Sequence, residues 1–390
     1  MLTWRHLLAA MAVVPGWAEA GRIGQGQEVF WNAWGGDEGT NRFIAWAAGR
    51  VRTLHGITLY HVKLRDTADA VARIVAERAA GREQGGSVDM LWLNGPNFLA
   101  LRERDLLLGP LLDQLPNAGL VDRVGKPATV VDFTVPTEGY EVPWRMAQVC
   151  FIRDAGRLPD PPRSAAALLD WAVAHPGRTT HPQARNFLGA TFLKTALLEL
   201  APAAAPLYVP PTDAAYTTAT APLWRWYDAL RPALWRSGRQ FPESGPAQRS
   251  LMNDGELDLV ISFNPAEAAT SVEAGTLPPS VRVSGFTRGT IGNASHNAIP
   301  RNAAHPEAAM LVLDFLLSPE AQATAQDIRM MGAPTVLALD RLSPADRALF
   351  DALPTAPALP APGALGPALL EPHPGWMDRL ATEWERRVTA

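Results

Sequence analysis

The feature that most constrains the fold is a regular alternation of short apolar runs with amphipathic segments. Residues 28–34, 57–63 and 88–93 are short runs rich in aliphatic and aromatic residues. The segments 40–51 and 67–80 lie between them and carry apolar residues at helical spacing. This order predicts an α/β protein in which helices cover sheets of parallel strands.

The second half of the chain repeats the alternation after a break. Residues 140–153 form a long extended run, and the proline-rich residues 158–162 follow it. A strong helix is predicted over 187–200, a buried strand over 257–263 and an extended segment over 290–299. The pattern predicts two lobes joined by long extended segments, which therefore form a hinge.

Two further segments have a distinct composition. The stretch 201–222 is rich in alanine, proline and threonine, and it is interpreted as a loose insertion. A final helix is predicted over 376–388 after a proline-rich span.

Four loops lie where predicted strands lead into helices. Ligands of α/β sheets bind at the carboxyl ends of strands. We therefore expect a ligand site at residues 31–39, 93–98, 181–189 and 262–267.

The first twenty residues are predicted to be a secretory signal peptide. Arg5 and His6 supply a positive start, and the apolar run 7–14 is too short to span a bilayer. Ala18-Glu19-Ala20 has the small-x-small pattern of a cleavage site. Cleavage is expected after Ala20, and export would place the protein in the periplasm.

Composition excludes several classes of partner. The net charge of −4 is spread over 390 residues without a basic stripe, which argues against nucleic acid. No later segment is long and apolar enough to span a membrane. The protein is expected to be a monomer. Cys150 lies in an apolar run, so it is interpreted as a small buried residue.

Neither a metal nor a cofactor is predicted from motifs. The eight histidines show no paired ligand spacing and the five tyrosines are scattered, which disfavours zinc and ferric iron. His181 and His296 lie near candidate loops, and both are interpreted as histidines with satisfied hydrogen bonds in the core.

A periplasmic enzyme is the alternative class. Glu138 and Glu141 lie near the hinge and are acid/base candidates, but at this spacing an extended segment points them to opposite faces. No nucleophile motif is present. The third class is a binding protein that signals to a membrane sensor, and its two lobes would look identical to those predicted here.

An ordered set of segments resembles the extracellular solute-binding proteins of ABC importers, and within them the YnjB-type branch. The likeness covers nearly the whole chain after the signal segment. The segments are 31–36 (WNAWGG), 89–98 (DMLWLNGPNF), 139–144 (GYEVPW), 254–258 (DGELD), 262–265 (SFNP), 318–322 (SPEAQ) and 371–373 (EPH), followed by Trp376 and Trp384.

The resemblance implies two Rossmann-like lobes with central mixed sheets, a crossover-strand hinge and a ligand cleft between the lobes. This is the periplasmic binding protein-like II fold. Residues 21–144 with 289–390 would form the first lobe, with the C-terminal helices packed on it, and residues 145–288 the second. The implied partners are a small molecule, an inner-membrane permease and its ATPase.

The candidate loops and the hinge are rich in aromatic rings and amides. These suit a small, partly apolar or cationic organic ligand, and Asp37 and Glu38 would neutralise a cation. The resemblance to the YnjB-type branch implies a thiamine-like or other organic cation. Backbone amides at Gly35-Gly36 and Gly95 suit an oxyanion instead. The candidate ligand-binding residues are Trp31, Asn32, Trp34, Gly35, Asp37, Asn94, Asn97, Tyr140, Trp144, Asn186, Phe187, Phe263, Asn264 and Asn293.

Overall fold

Two β-sheets organise the chain in the computed structural model, which describes residues 15–361 and 363–389. Most of the predicted signal peptide, residues 1–14, lies outside the described residues. The described strands are β1 (Glu28–Trp34), β2 (Thr58–Leu64), β3 (Met90–Leu93), β4 (Val131–Asp132), β5 (Val135–Pro136), β6 (Val142–Gln148), β7 (Cys150–Asp154), β8 (Leu259–Ser262), β9 (Val281–Ser284), β10 (Thr290–Ala298) and β11 (Ala368–Leu369).

Helices lie between these strands and after them. Within the described residues, no helix combines the length and the apolar character needed to cross a bilayer. The helices are α1 (Trp17–Ile23), α2 (Glu38–His55), α3 (Thr67–Ala79), α4 (Pro96–Arg102), α5 (Ala165–Ala174), α6 (Phe187–Leu200), α7 (Asp213–Leu230), α8 (Gly245–Asn253), α9 (Glu267–Glu273), α10 (Pro306–Leu316), α11 (Pro319–Gln326), α12 (Pro344–Asp351) and α13 (Gly375–Thr389).

The local sequence explains where several helices begin. Asp37, Asp66, Ser164, Asn186 and Ser318 each precede a helix, and each side chain accepts a hydrogen bond from a backbone amide of the first turn. Capping of this kind satisfies amides that have no partner within the helix. Two of these caps, Asp37 and Asn186, stand at candidate ligand loops.

The first sheet is mixed. Strands β2, β1 and β3 are parallel neighbours, and β10 joins β3 in the antiparallel sense. On its other side, β10 pairs with β6, also in the antiparallel sense. Strand β11 pairs in parallel with the first two residues of β10. Apolar side chains of β1, α2, α10 and α11 pack together as the core of this lobe.

The second sheet is small. Its strand order is β8–β7–β9, with antiparallel pairing throughout, and a single parallel bridge joins Thr179 to Leu259. The sequence pattern predicted sheets of parallel strands. In the structure, the parallel strand pairs are β1 with β2, β1 with β3 and β10 with β11. Pairing is not parallel throughout because β6, β7, β9 and β10 run between the lobes and return antiparallel.

The hinge consists of chain crossings that lie side by side. Strand β6 belongs to the first sheet and β7 to the second, and only Val149 separates them. The Val149 amide donates to the carbonyl of Ile291 at 2.7 Å, just after the chain returns from β9 into β10. Two crossings are therefore hydrogen bonded to each other at the point where the lobes meet.

The stretch 201–222 differs from the expectation of a loose insertion. Residues from Asp213 onward begin α7, an 18-residue helix with Pro222 inside it. Its apolar face buries Tyr216, Leu223 and Tyr227 in the core of the second lobe. Burial of this face outweighs the cost of an interior proline.

The C-terminal helices divide between the lobes, whereas the sequence analysis assigned them to the first. Phe350 of α12 joins the first core. Trp376, Leu380 and Trp384 of α13 join the core formed by α6 and α7. The amphipathic face of α13 covers the aromatic face of α7, which would otherwise be exposed to water.

Helix α1 spans the predicted cleavage point. Ala20 is fully buried, and α1 packs against α10 so closely that a Cβ at Gly24 would lie 2.7 Å from the amide nitrogen of Ala308. Cleavage after Ala20 would leave the chain starting within this helix.

Candidate ligand cleft

The loops predicted to bind ligand meet along the seam between the two lobes. Asn264, which follows β8, donates its side-chain amide to the carbonyl of Met331 at 3.2 Å. The sulfur of Met331 in turn lies 3.6 Å from the hydroxyl of Thr40 in α2. The loops after β1 and β8 therefore face each other across this seam.

Arg145 lies on the floor of the seam and was not among the predicted residues. It projects from β6, with its guanidinium carbon 4.4 Å from the Trp92 ring centroid and 5.1 Å from that of Trp144. Its Nε donates to the Ser295 hydroxyl at 3.2 Å, and one terminal nitrogen lies 3.7 Å from the sulfur of Met331. Stacking on indole rings fixes the plane of the guanidinium.

The charge of Arg145 has no carboxylate partner bonded to it within the described residues. Burial lowers the pKa of Arg145 to about 10. The negative charges of Asp37 in the first lobe and Glu267 in the second act in the opposite direction and raise it. Asp37 caps α2, and Glu267 forms an ion pair with Arg249. Arg145 therefore stays protonated at neutral pH and keeps hydrogen-bond donors free.

Aromatic rings line the seam on both sides. Trp34 at the end of β1 is half-buried and stands edge-on to Trp92, with ring centroids 6.4 Å apart. Phe187 and Phe263 from the second lobe are half-buried and lie 5.6 Å apart. Flat apolar surfaces on both lobes suit a planar or apolar ligand body.

A second charged group, Lys194, closes one corner of the seam. Lys194 of α6 and Glu371 of the tail form a fully buried ion pair. The amide of Asn293 donates to the other carboxylate oxygen at 2.5 Å. The ammonium lies 4.4 Å from the ring centroid of Phe133 and 5.1 Å from that of Phe187.

Ten of the predicted residues are half-buried or hydrogen bonded to a distant segment of the chain, and their contact with ligand stays a prediction. Asn94 and Asn97 follow β3, and Asn186 caps α6 by accepting from the Leu188 amide at 3.0 Å. Gly35 is required sterically, because a Cβ there would lie 2.7 Å from Lys63 Cβ. The residues of this group are Trp34, Gly35, Asp37, Asn94, Asn97, Asn186, Phe187, Phe263, Asn264 and Asn293.

The structure places the other predicted residues away from the open seam. Trp31 is fully buried and donates its indole N–H to Asn297 at 2.9 Å. Trp144 is buried between Trp31 and Trp92. Asn32 is enclosed within β1, and its amide donates to a strand carbonyl at 3.3 Å.

Tyr140 also packs outside the seam. Its ring lies under the guanidinium of Arg102 at 3.9 Å and covers Gly109, where a Cβ would lie 2.6 Å from it. Its place beside the hinge in the sequence suggested a ligand contact, whereas its side chain turns towards α4.

One sequence signal indicates Arg145. Within the extended run 140–153 it follows two buried residues, Pro143 and Trp144. A charge in such a strand requires a partner or a ligand. The run was interpreted as a hinge, and of its charged residues Glu141, Arg145 and Arg153 only Glu141 was named as a candidate.

His181 and His296 differ in their surroundings. His181 bonds the Tyr227 hydroxyl at 2.8 Å and stacks on Phe192 with centroids 4.6 Å apart, which confirms the interpretation as a satisfied core histidine. Both ring nitrogens of His296 are buried without a hydrogen bond of normal geometry. For His296 that interpretation was therefore wrong.

His296 faces two buried carboxylates, Asp132 and Glu141. Ligand atoms of the three side chains all lie within 4.8 Å of one another. Burial lowers the pKa of His296 to about 4, although the nearby backbone of Thr129 and Ala128 favours its charged form. Burial raises the pKa of Asp132 to about 8 and that of Glu141 well above its ordinary value.

The proposed acid/base pair does not form. Glu138 is on the surface and bonds Arg102 at 2.7 Å, while Glu141 is fully buried. The two carboxylates point to different environments, as the extended spacing predicted. An enzyme built on this pair is therefore not supported.

The fold and the seam define a two-lobed receptor that takes up a solute between its lobes. Residues 46–350 match the family model described as bacterial extracellular solute-binding protein, and the chain belongs to this family. Over 371 residues, 95% of this chain and 93% of the relative, it is 42% identical to protein YnjB of Escherichia coli strain K12.

Solved structures share the fold at low sequence identity. AfuA from Actinobacillus pleuropneumoniae, a periplasmic binding protein, has a TM-score of 0.64 at 16% identity, covering 93% of this chain and 99% of its own. The spermidine/putrescine-binding protein PotD from Streptococcus pneumoniae has a TM-score of 0.63 at 12% identity, covering 93% and 98%. The predicted family and fold class are confirmed.

The protein is thus a substrate-binding receptor of an ABC importer, and it works in the periplasm. Its family is one of transport binding proteins rather than enzymes. In a two-lobed receptor of this kind, solute held on one lobe is enclosed when the other lobe closes on it.

Proposed function

We propose that the receptor takes up a small organic anion, whose carboxylate or phosphate group binds Arg145. The observation that carries this proposal is a protonated guanidinium on the floor of the seam that no described carboxylate bonds. A planar guanidinium matches a carboxylate or phosphate through two parallel hydrogen bonds.

The remaining surface supports an organic ligand rather than a bare oxyanion. Trp92 lies against the guanidinium and Trp34 stands edge-on to Trp92, while Phe187 and Phe263 present aromatic surface from the other lobe. A ligand with an apolar or planar body would bury that surface on closure. The structural neighbour AfuA has fructose-6-phosphate bound, which is an organic anion.

An organic cation is the second candidate, and one observation favours it. Asp37 and Glu267 approach the seam from opposite lobes, and the aromatic rings would attract a cation. A thiamine-like compound is the ligand of this class that the resemblance to the YnjB-type branch implies. The two candidates differ in which charged groups they need, namely Arg145 or the pair of carboxylates.

Native mass spectrometry of the protein purified from its own periplasm tests the proposal. A co-purified molecule with a carboxylate or phosphate supports it, and a bound cation overturns it in favour of the second candidate. If the protein is free of ligand, thermal-shift screens with organic phosphates, carboxylates, polyamines and thiamine follow. Stabilisation by the cations alone would also contradict the proposal.

Export and delivery form part of the same proposal. We expect cleavage after Ala20, residues 21–144 with 289–390 as the first lobe and 145–288 as the second, with α13 crossing onto the second lobe. The closed receptor would dock on an inner-membrane permease driven by a cytosolic ATPase. The intact mass of the periplasmic protein tests the cleavage, because a chain starting elsewhere than Gly21 contradicts it.

A further inference from the structure

Asp132, Glu141 and His296 form an enclosed cluster that the solute-binding mechanism does not use. All three side chains are essentially inaccessible to solvent. They come from three separate places in the fold: Asp132 ends β4, Glu141 precedes β6 and His296 lies on β10. Their ligand atoms converge within 4.8 Å of one another.

The polar atoms of the cluster lack partners. Both carboxylate oxygens of Glu141, one oxygen of Asp132 and both ring nitrogens of His296 are buried without a hydrogen bond. Groups of this kind are costly to bury unless something satisfies them. Direct hydrogen bonds among the three would satisfy them, but these are not formed.

We propose that the three side chains bind one divalent first-row transition ion, with Zn²⁺ the best match. One imidazole nitrogen and two carboxylate oxygens are a donor set that suits Zn²⁺. Two carboxylates offset the charge of the ion, so the buried cluster becomes neutral overall. Mg²⁺ and Ca²⁺ match less well because they prefer oxygen ligands alone.

The surroundings of His296 support a ligand role. The backbone of Thr129 and Ala128 lies beside its imidazole ring. A metal-bound histidine ordinarily donates its other ring N–H to a carbonyl or carboxylate, which fixes the orientation of the ring. We expect a carbonyl of this backbone to accept that N–H when the ion is bound.

The ion would connect to the seam through Asp132. The second oxygen of Asp132 accepts the amide of Gly95, in the loop after β3. The next residue, Phe133, lies against the ammonium of Lys194 from the second lobe. Metal binding would therefore fix the 131–136 turn, which touches both a candidate ligand loop and the other lobe.

The test is metal binding by the full-length, tag-free protein after treatment with a chelator. Isothermal titration with ZnCl₂, MnCl₂ and CaCl₂ is combined with native mass spectrometry. We expect one Zn²⁺ per chain, weaker Mn²⁺ and no Ca²⁺. Glu141→Gln and His296→Gln should each weaken Zn²⁺ binding at least about 100-fold, since loss of an outer partner alone costs about 10- to 100-fold.

Glu138→Gln is the matched control, because Glu138 lies three residues from Glu141 but faces solvent and Arg102. It should bind Zn²⁺ like the unmodified protein. A chain that takes up no stoichiometric Zn²⁺, or a Glu141→Gln variant with unchanged affinity, overturns the proposal in favour of a trapped water or a shared proton.

A second measurement serves if the variants do not fold. The zinc X-ray absorption spectrum of the unmodified protein should show a single imidazole together with oxygen ligands at about 2.0 to 2.2 Å. A spectrum with two or more imidazoles or with sulfur would place the ion elsewhere and overturn the proposal.

Discussion

Lys194 and Glu371 form a buried ion pair although they lie far apart in the sequence, one on α6 of the second lobe and the other in the tail after β11. Neither side chain has measurable solvent exposure. The second oxygen of Glu371 accepts from Asn293 of β10. One carboxylate therefore joins the tail, the second lobe and a central strand of the first sheet.

Removing one member of this pair should destabilise the protein strongly. Lys194→Met leaves the Glu371 carboxylate buried without its cation, and the expected loss is about 3 to 5 kcal/mol in the free energy of unfolding. Urea denaturation measures it. The double variant Lys194→Met/Glu371→Leu should lose less than the single variant, since neither charge then remains. A single variant as stable as the unmodified protein would contradict this account.

Two tryptophans that the sequence analysis assigned alike should behave differently. Trp34→Ala is expected to weaken ligand binding while leaving the thermal unfolding temperature nearly unchanged, because Trp34 is half-buried at a strand end. Trp144→Ala should cost about 3 to 5 kcal/mol of stability, since its ring packs against Trp31, Trp92 and Phe43. Calorimetry with the co-purified ligand and thermal melts separate the two effects. Unchanged affinity in Trp34→Ala would remove Trp34 from the site.

Both the geometry and the charge of Arg145 should contribute to ligand binding. Arg145→Lys keeps a cation but loses the planar fork, so we expect ligand affinity to fall about tenfold or more. Arg145→Gln should weaken binding further. Arg42, which bonds the Met330 carbonyl at 3.0 Å on the exposed side of α2, offers the control Arg42→Lys. Equal affinity of Arg145→Lys and the unmodified protein would count against a bidentate anion.

The pH dependence of stability should contain a contribution from His181. Burial lowers its pKa to about 4 from the ordinary 6.5, so the unfolded chain binds more protons between these values. Stability from this group is present above the unfolded pKa and is lost as the pH falls towards 4. His181→Gln should remove about 2 kcal/mol of the stability change between about pH 7 and about pH 5.

The comparison with His181→Gln isolates this one group. His296, Asp132 and Glu141 also have shifted pKa values, but they are present in both proteins and cancel in the difference. Urea denaturation at each pH gives the two curves. If the free energies of unfolding of the two proteins change with pH in parallel, His181 does not take up a proton on unfolding in this pH range.

Cys150 should be chemically inert in the folded protein. The thiol is fully buried, and burial raises its pKa, so the reactive thiolate is disfavoured. Iodoacetamide at mildly alkaline pH should label the denatured chain and leave the native one unmodified, as intact mass shows. The burial predicted from its apolar run is confirmed. Rapid labelling of the native protein would instead indicate local opening around β7.

Much of the first lobe could be predicted because its signals are local. The apolar runs of β1, β2 and β3 and the amphipathic helices between them depend on residues close in sequence. The cap at Asn186 likewise stands at a predicted helix start, whereas α2 begins two residues before the predicted segment 40–51, after the cap Asp37. The order of motifs along the chain then identified the family and with it the two-lobed fold.

Features that depend on distant residues could not be predicted in this way. Helix α7 carries Pro222, and the face that stabilises it is covered by α13, more than 150 residues later. The cluster around His296 assembles from three elements far apart in the sequence, and the pairing of β6 with β10 brings Glu141 beside His296. Arg145 was overlooked for the same reason, since Trp92 and Ser295 lie far from it in the sequence.

The pairing of the two crossing segments at Val149 and Ile291 places a pivot close to Arg145. Arg145 precedes Val149 by four residues of nearly continuous strand, or roughly 13 Å at about 3.3 Å per residue. Points near a pivot travel least when two rigid bodies rotate about it. The guanidinium should therefore occupy nearly the same position in the open and the closed receptor, so that a ligand anchored there on arrival keeps its anchor while the aromatic rings of the second lobe swing over it.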